Sequence, residues 1–495
     1  MVTVLISKPI QFLKGGRDAR LLVLSYLIAH GGVFFILSAI YWDDWVLYNH
    51  DAGDILSRFA MAGTPFGLVG HMHAFMQIIG PIGYKLSSFC LYLGSIVLLS
   101  RLLIRQRWIS VENCYVIALL FAVLPFNFSR VMEIALPYAL CNFLFFLAWH
   151  IFPQHRVMAL PLFFLAFFIP SFLVFYLLPV IELVVRDLFA DGFRYHAGVL
   201  KKLSVWTFRN SMVVALPFIF YLIKIKYFQA SGPYAGYYEG FGLEKVWPAL
   251  KIVYSDFLGQ DVSVPLLIIG LVLGLAVLPR MAAPVPNARL LVVGAIAIAL
   301  ALFPYLILGL APVFDEWPAS RHQLLLPLGF ACVATGVAGY MSAGWARALV
   351  GLILAISLAM NWNFYYLAYL DWSKQTSVLA FLRDSDFKEA SVILIDDRTE
   401  ARFRRTLGFY EWSGIVKLAY GDQMRFAMRK EEYPNYLSGQ YDQYFVSMYN
   451  AGQHVRREDN AVRVLVIDYV KQVGAPPLAF GRQSYSIRLA PLLAN

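Results

Sequence analysis

From Leu21 to Trp42 the sequence holds no Asp, Glu, Lys or Arg, and apolar runs of similar length recur through three quarters of the chain. A run of about 20 apolar residues lets a helix cross a hydrocarbon core about 30 Å thick with its own backbone groups satisfied. Further runs lie near residues 78–100, 113–126, 134–152, 157–170, 172–186, 208–224, 263–279, 290–311, 323–341 and 346–366. The expected fold is therefore an α-helical polytopic membrane protein with about eleven transmembrane helices. With 60% hydrophobic and 15% charged residues, against roughly 45–50% and about 25% in soluble domains, the chain has too much apolar surface for a water-soluble fold.

The loops between runs suggest an orientation. Lys8, Lys14, Arg17 and Arg20 precede the first run, which is too long for a signal-peptide core and lacks a small-x-small cleavage site, so it reads as an uncleaved first span with a cytoplasmic N-terminus. Splitting 157–186 at Ile169-Pro170-Ser171 then places about sixteen Lys and Arg inside against eight outside, and merging it would destroy that bias. Acids run the other way: Asp43, Asp44, Asp51, Asp54, Glu133, Glu239, Glu244, Asp256, Asp261, Asp315 and Glu316 fall outside. Because acids do little to set topology, this skew points to a reaction or binding surface on the outer face.

After residue 370 the composition changes. The last 125 residues carry 17 Lys or Arg and 15 Asp or Glu, about the charged density of an ordinary soluble domain. Val392–Ile395 and Val462–Ile467 read as strands and Ser377–Leu382 as helix, so residues 1–370 are expected to form the membrane domain and 371–495 an extracytoplasmic soluble α/β domain. The net charge of +10 is scattered between apolar runs rather than clustered, which argues against nucleic acid. Cys90, Cys114, Cys141 and Cys332 show no C-x-x-C spacing and read as small buried hydrophobes.

The sharpest local signal is Tyr41-Trp42-Asp43-Asp44-Trp45 at the outer end of the first run. Aromatic belts are ordinary at a membrane interface, but adjacent carboxylates are not needed for anchoring. From Asp51 to Gly70, Ile55, Leu56, Phe59, Ala60 and Phe66 alternate with polar residues, as in an amphipathic helix lying on the outer surface. Arg321 and His322 stand before the tenth run, where Arg321 also reads as an interfacial arginine paired with Asp315 or Glu316. Ser129-Arg130-Val131-Met132-Glu133 offers a further acid, or a local Arg130–Glu133 pair.

Other motifs carry less. His71 and His73 point to opposite sides of a helix, so joint metal ligation would need a non-helical backbone. Tyr234, Tyr237, Tyr238 and Glu239 in Pro233–Gly240 suit sugar rings, and suit interface packing equally. Asn127-Phe128-Ser129 matches a glycosylation sequon, and Tyr410-Glu411-Trp412-Ser413-Gly414 reads as a surface turn.

An acidic pair closing the first span, followed by a surface helix in a long first outer loop, resembles the GT-C superfamily of membrane glycosyltransferases, over residues 20 to 370. The resemblance implies a sugar donor on a polyprenyl phosphate, a glycan or lipid acceptor, and a bacterial inner-membrane location. It makes Asp44, then Asp43, the base and Glu133 a second acid. Arg321, His322, Arg130 and Arg58 become the groups that meet the lipid phosphate, and Tyr237, Tyr238 and Glu239 the acceptor contacts. In some families a divalent metal takes part; no cofactor is otherwise implied. The chemistry suits those residue types, since an attacking hydroxyl needs a carboxylate to take its proton and a departing phosphate needs positive charge. The rival expectations are a lipid-linked polysaccharide polymerase or ligase, which would rely on basic residues in a large outer loop, and a lipid or solute transporter, which would place ionisable groups mid-span and show repeats.

Overall fold

The computed structural model describes residues 17–106, 108–189, 199–235, 242–258, 264–277, 283–311, 313, 317–385, 392–400, 405–421, 425–439, 462–470 and 484–490. The first run forms α1 (Arg17–His30), continued by a 3-10 turn over Gly31–Ile36. Two short helices follow, α2 (Asp44–Asn49) and α3 (Ala52–Met61), and then the 38-residue α4 (Leu68–Arg105). The bundle continues through α5 (Val111–Val123), α6 (Leu136–Ile151), α7 (Arg156–Ala166), α8 (Ser171–Phe175), α9 (Leu177–Leu188), α10 (Val199–Arg209) and α11 (Ser211–Tyr227). It closes with α12 (Val246–Leu258), α13 (Val264–Val277), α14 (Ala288–Leu306), α15 (Leu326–Gly339) and the 42-residue α16 (Ala343–Asp384).

All eleven apolar runs are helical, but among the described residues only five helices are long and apolar enough to cross a membrane. Counting α10 and α11, which meet at 65°, as one broken span gives six. The expected eleven full-length spans are thus not what helix length alone supports, and prolines account for part of the shortfall. α5 has 13 residues because Leu124, which precedes Pro125, leaves helical geometry at ψ 131, as the residue before proline tends to do. α7 stops after 11 residues, short of Pro170, and α8 is a single turn. The architecture is compatible with a helical membrane protein, its exposed Phe75, Ile78, Phe218, Leu222 and Ile268 suited to an apolar solvent.

The surface helix is shorter than Asp51–Gly70. Asp51 caps α3 by accepting from Asp54 N–H at 2.8 Å. The helix ends before Gly63, whose φ of 71 lets the chain turn where a Cβ would lie 2.6 Å from Phe228 O. Inside α4, Gly80 adopts φ 77 and ψ −173 directly before Pro81, so the helix breaks between Ile79 and Pro81.

Polar side chains tie the bundle together. His30 bonds Tyr365 Oη at 3.2 Å and Ala122 O at 3.0 Å, and Asn361 donates to Val123 O at 2.7 Å, the carbonyl freed where α5 ends. Gly32 lets α16 approach so closely that an added Cβ would sit 2.5 Å from Tyr365. Such small residues and buried hydrogen bonds are how helices associate where apolar burial alone discriminates little.

Beyond the bundle, β1 (Val392–Asp397) lies in a four-stranded sheet of order β2-β1-β3-β4, with β2 over Phe426–Arg429, β3 over Val462–Val470 and β4 over Ser484–Ala490. β1 runs parallel to β2 and β3, and β4 is antiparallel to β3. The helix α17 (Phe409–Tyr420) covers the sheet, with Trp412, Ile415 and Val416 in one apolar cluster with Ile393, Ile395, Leu465 and Ile467. That cluster also contains Ile40 and Trp45 from the segment after the first run and Val378 and Leu382 from α16. The boundary expected at residues 370/371 falls inside α16, which runs unbroken from the bundle to the sheet.

Candidate active site

The chain leaves the first span through Trp42, which holds a left-handed φ of 51. A bulky residue there is strained, and such strain persists only where surroundings over-determine it. Two partners do so. Trp42 N–H donates to Glu411 Oε1 at 2.9 Å, and the Arg321 guanidinium lies 5.2 Å from the centre of the indole.

This turn sends the two adjacent acids in different directions. Asp44 is fully buried; its Oδ1 accepts from Ile134 N–H at 2.9 Å and its Oδ2 from Tyr41 N–H at 3.2 Å. Burial raises its carboxyl to about 6, held from going further by Lys85 and these N–H groups. Lys85, read from sequence as an outer charge, is instead buried in α4, donating to Ala39 O at 2.5 Å and lying 3.8 Å from Glu133. Glu133 therefore faces Lys85 and is 1% exposed. Arg130 turns away to Asn127 O, at 2.8 Å, and stacks its guanidinium 4.9 Å from the Tyr92 ring centre.

Asp43 keeps partial access to solvent. Tyr410 Oη donates to its Oδ1 at 3.1 Å. Desolvation raises its carboxyl to about 7, while the Tyr410 hydrogen bond and nearby Arg321 pull it down and the charges of Asp44 and Glu411 push it up. Tyr234 also feels Asp43 and hydrogen-bonds Arg58. Arg58 in turn donates to His50 Nε2 at 2.6 Å, while His50 Nδ1 donates to Val46 O at 2.7 Å. Burial, then the Arg58 charge, lowers that imidazole to about 4, so it stays neutral.

Arg321 donates to Pro318 O at 2.9 Å. His322 is buried against Tyr305 with ring centres 4.6 Å apart, and burial lowers it to about 3, so it brings no charge. Asp315 and Glu316, the expected partners of Arg321, lie outside the described residues, as do Tyr237, Tyr238 and Glu239. Ser320 Oγ accepts from Phe128 and Ser129 N–H at 3.0 and 2.9 Å, which joins the loop of Arg321 to the loop of Arg130. The sequon asparagine is buried here, donating to Tyr92 Oη at 2.6 Å.

Sequence reasoning missed the groups behind Trp42. Arg405 bridges Asp371 and Glu411, and its guanidinium lies 5.6 Å from the ring centres of both Tyr41 and Trp317. Lys374 lies 3.7 Å from Asp371 and 2.7 Å from Asp397. These five ionised side chains are 7% exposed or less. Breaking one such pair is costly because a buried charge is left behind, which makes the cluster a device for fixing one geometry. Asp371 and Lys374 at i, i+3 just past the last apolar run were the available signal; Glu411 stood out only within the segment that reads as a surface turn, and Arg405 had no signal.

Among the described residues no three His, Cys, Asp or Glu side chains converge in a way that could hold a metal ion. His71 bonds Gly67 O at the surface, whereas His73 is buried between Phe59 and Tyr84, so the two do not meet. No protein-family model matches the chain, and no curated protein sequence is similar to it.

Proposed function

We propose that the chain is a membrane glycosyltransferase that moves a sugar from a polyprenyl-phosphate donor to an acceptor hydroxyl at the outer face of a bacterial inner membrane. The observation that carries the reading is the half-buried Asp43 carboxylate, titrating near neutrality, with Arg321 beside it at the end of the first span. As the acceptor oxygen attacks the anomeric carbon, Asp43 takes its proton. The bond from that carbon to the phosphate oxygen breaks, and the lipid phosphate leaves with its electron pair, its charge balanced by the Arg321 guanidinium. Arg58, held by Tyr234 and His50, supplies a second cation on the same rim.

Within this proposal Asp43 is taken as the base in preference to Asp44. Asp44 spends its oxygens on backbone N–H groups and sits against Lys85, so it braces the turn. Asp43 has a free face. The eleven-span layout, with a cytoplasmic N-terminus and an external C-terminal domain, belongs to the same proposal: to the six spans above it adds the five shorter helices α5, α7, α9, α13 and α15, with neighbours covering their ends.

The test is release of undecaprenyl phosphate from a panel of undecaprenyl-phosphate-linked hexoses and pentoses, with envelope extract as acceptor. Asp43→Asn should lower turnover about 10²–10⁴-fold, the usual cost of losing a positioned base. Equal turnover of the variant and the wild type would remove Asp43 from the chemistry, and no release from any donor would remove the reaction.

A further inference from the structure

The segment Tyr410-Glu411, which reads as a surface turn from its sequence, instead reaches the end of the first span with both side chains. Tyr410 Oη donates to Asp43 Oδ1 at 3.1 Å, and Glu411 Oε1 accepts from Trp42 N–H at 2.9 Å. Two consecutive residues of α17 thus grip two consecutive residues of the first outer loop.

The grip is braced from the domain side. Glu411 Oε2 accepts from Gly408 N–H at 2.8 Å, and its other oxygen is shared with Arg405, which ties it to Asp371 on α16. Asn49 donates to Tyr410 O at 3.3 Å and Lys417 to Asn49 O at 3.1 Å, so α2 and α17 are stitched along their length. At Gly414 the approach is so close that a Cβ would meet the Trp45 ring at 2.4 Å.

We propose that the C-terminal domain is part of the catalytic apparatus, with Tyr410 and Glu411 as positioning residues that fix the orientation and ionisation of Asp43. This rests on Asp43 being the base. Tyr410 offers a hydrogen bond that only the carboxylate form can use fully, whereas Glu411 sets a negative charge near it. Removing the two should therefore act in opposite directions. Among the described residues, the charged and titratable groups facing Asp43 from the packed elements are Tyr410 and Glu411 on α17, Arg321 from the turn before α15, Asp44 on α2, and Tyr234 from the loop after α11. A variant at Tyr410 changes one of these and leaves the others in place.

The experiment is a pH titration of the full chain in lipid nanodiscs by infrared spectroscopy, where the protonated-carboxyl band lost in Asp43→Asn reports Asp43 itself. A hydrogen bond to a charged group is worth enough that Tyr410→Phe should move the Asp43 midpoint up by about one pH unit. Glu411→Gln should move it down, with thermal unfolding recorded alongside because Arg405 loses a partner. The acid limb of the transfer rate should follow the same displacements, whereas a purely structural role would scale the rate equally at every pH. A midpoint unmoved in Tyr410→Phe overturns the proposal whatever the activity. Displaced midpoints with transfer unimpaired in Asp43→Asn would overturn Asp43 as the base, and with it the domain's catalytic role, while leaving the transfer reaction standing; no release from any donor would remove the reaction itself.

Discussion

The backbone N–H of Trp42 is held by the carboxylate of Glu411 at 2.9 Å, across 369 positions of sequence. Trp42 adopts φ 51, a conformation that costs a bulky residue about 1–3 kcal/mol. The interaction sets the direction in which the next residue, Asp43, leaves the span. The Asp43 carboxylate is thus aimed by a contact from a part of the chain remote in sequence.

Transfer should depend on pH through Asp43. A base acts when deprotonated, so with its carboxyl raised to about 7 by burial the rate should climb from pH 5 to 8 and level off above. The kcat/KM profile of the wild type checks this, because the free enzyme's groups govern that quantity. A profile flat down to pH 5 would assign the proton to another group.

Asp44→Ala should unfold the protein more easily rather than simply silence it. It would strip acceptors from Ile134 and Tyr41 N–H and leave the buried Lys85 with one fewer carboxylate near it, Glu133 lying 3.8 Å away. Removing one partner of a buried charge cluster costs about 3–5 kcal/mol. Thermal unfolding in detergent, compared with Asp43→Asn, should show the larger loss in Asp44→Ala.

Arg321→Ala should raise the KM for the lipid-linked donor at least about tenfold, an effect larger than its effect on melting temperature; its contacts include Pro318 O at 2.9 Å and the face of Trp42. Arg130→Ala should do the reverse, because that side chain is committed to Asn127 and Tyr92. Donor titrations on both variants separate the two roles.

Gly414→Val should wedge α17 away from Trp45, where even one added carbon would lie 2.4 Å from the ring. Overpacking of this kind costs about 1–3 kcal/mol, and transfer should fall along with stability. Gly344→Ala, with no atom within 4 Å of the added carbon, should match the wild type in both measurements.

Reporter fusions at Gln106 and Pro286 should read cytoplasmic and one at Ser438 extracytoplasmic. A cytoplasmic signal at Ser438 would put Asp43, which contacts the same domain through Tyr410, on the wrong side for an external donor.

Helix positions were legible in the sequence because apolar runs dictate them, and so were the strands at Val392–Ile395 and Val462–Ile467. The ends were not: Leu124 before Pro125, and Gly80 before Pro81, break helices that hydropathy alone carries onward. The acidic pair was legible as an unusual feature at the end of the first run, but not the different surroundings of its two carboxylates, because those depend on the left-handed turn at Trp42. Lys85 could have been recognised as an ionisable residue within a span, the kind of position that usually has a named partner. Glu411 could not, since its significance lies wholly in a contact made across the length of the chain.

That span of sequence has a consequence for synthesis. Trp42 emerges from the ribosome and enters the membrane long before Glu411 and Tyr410 exist, so each nascent chain passes through a stage in which the first helices are inserted and Asp43 has neither its aim nor its hydrogen-bond donor. These contacts arrive late, when Gly408 to Lys417 have been translated and docked. A chain cut short by a premature stop would hold its first helices without the contacts of Glu411 and Tyr410, and under the proposed reaction an incomplete product would thereby be kept from consuming a lipid-linked sugar.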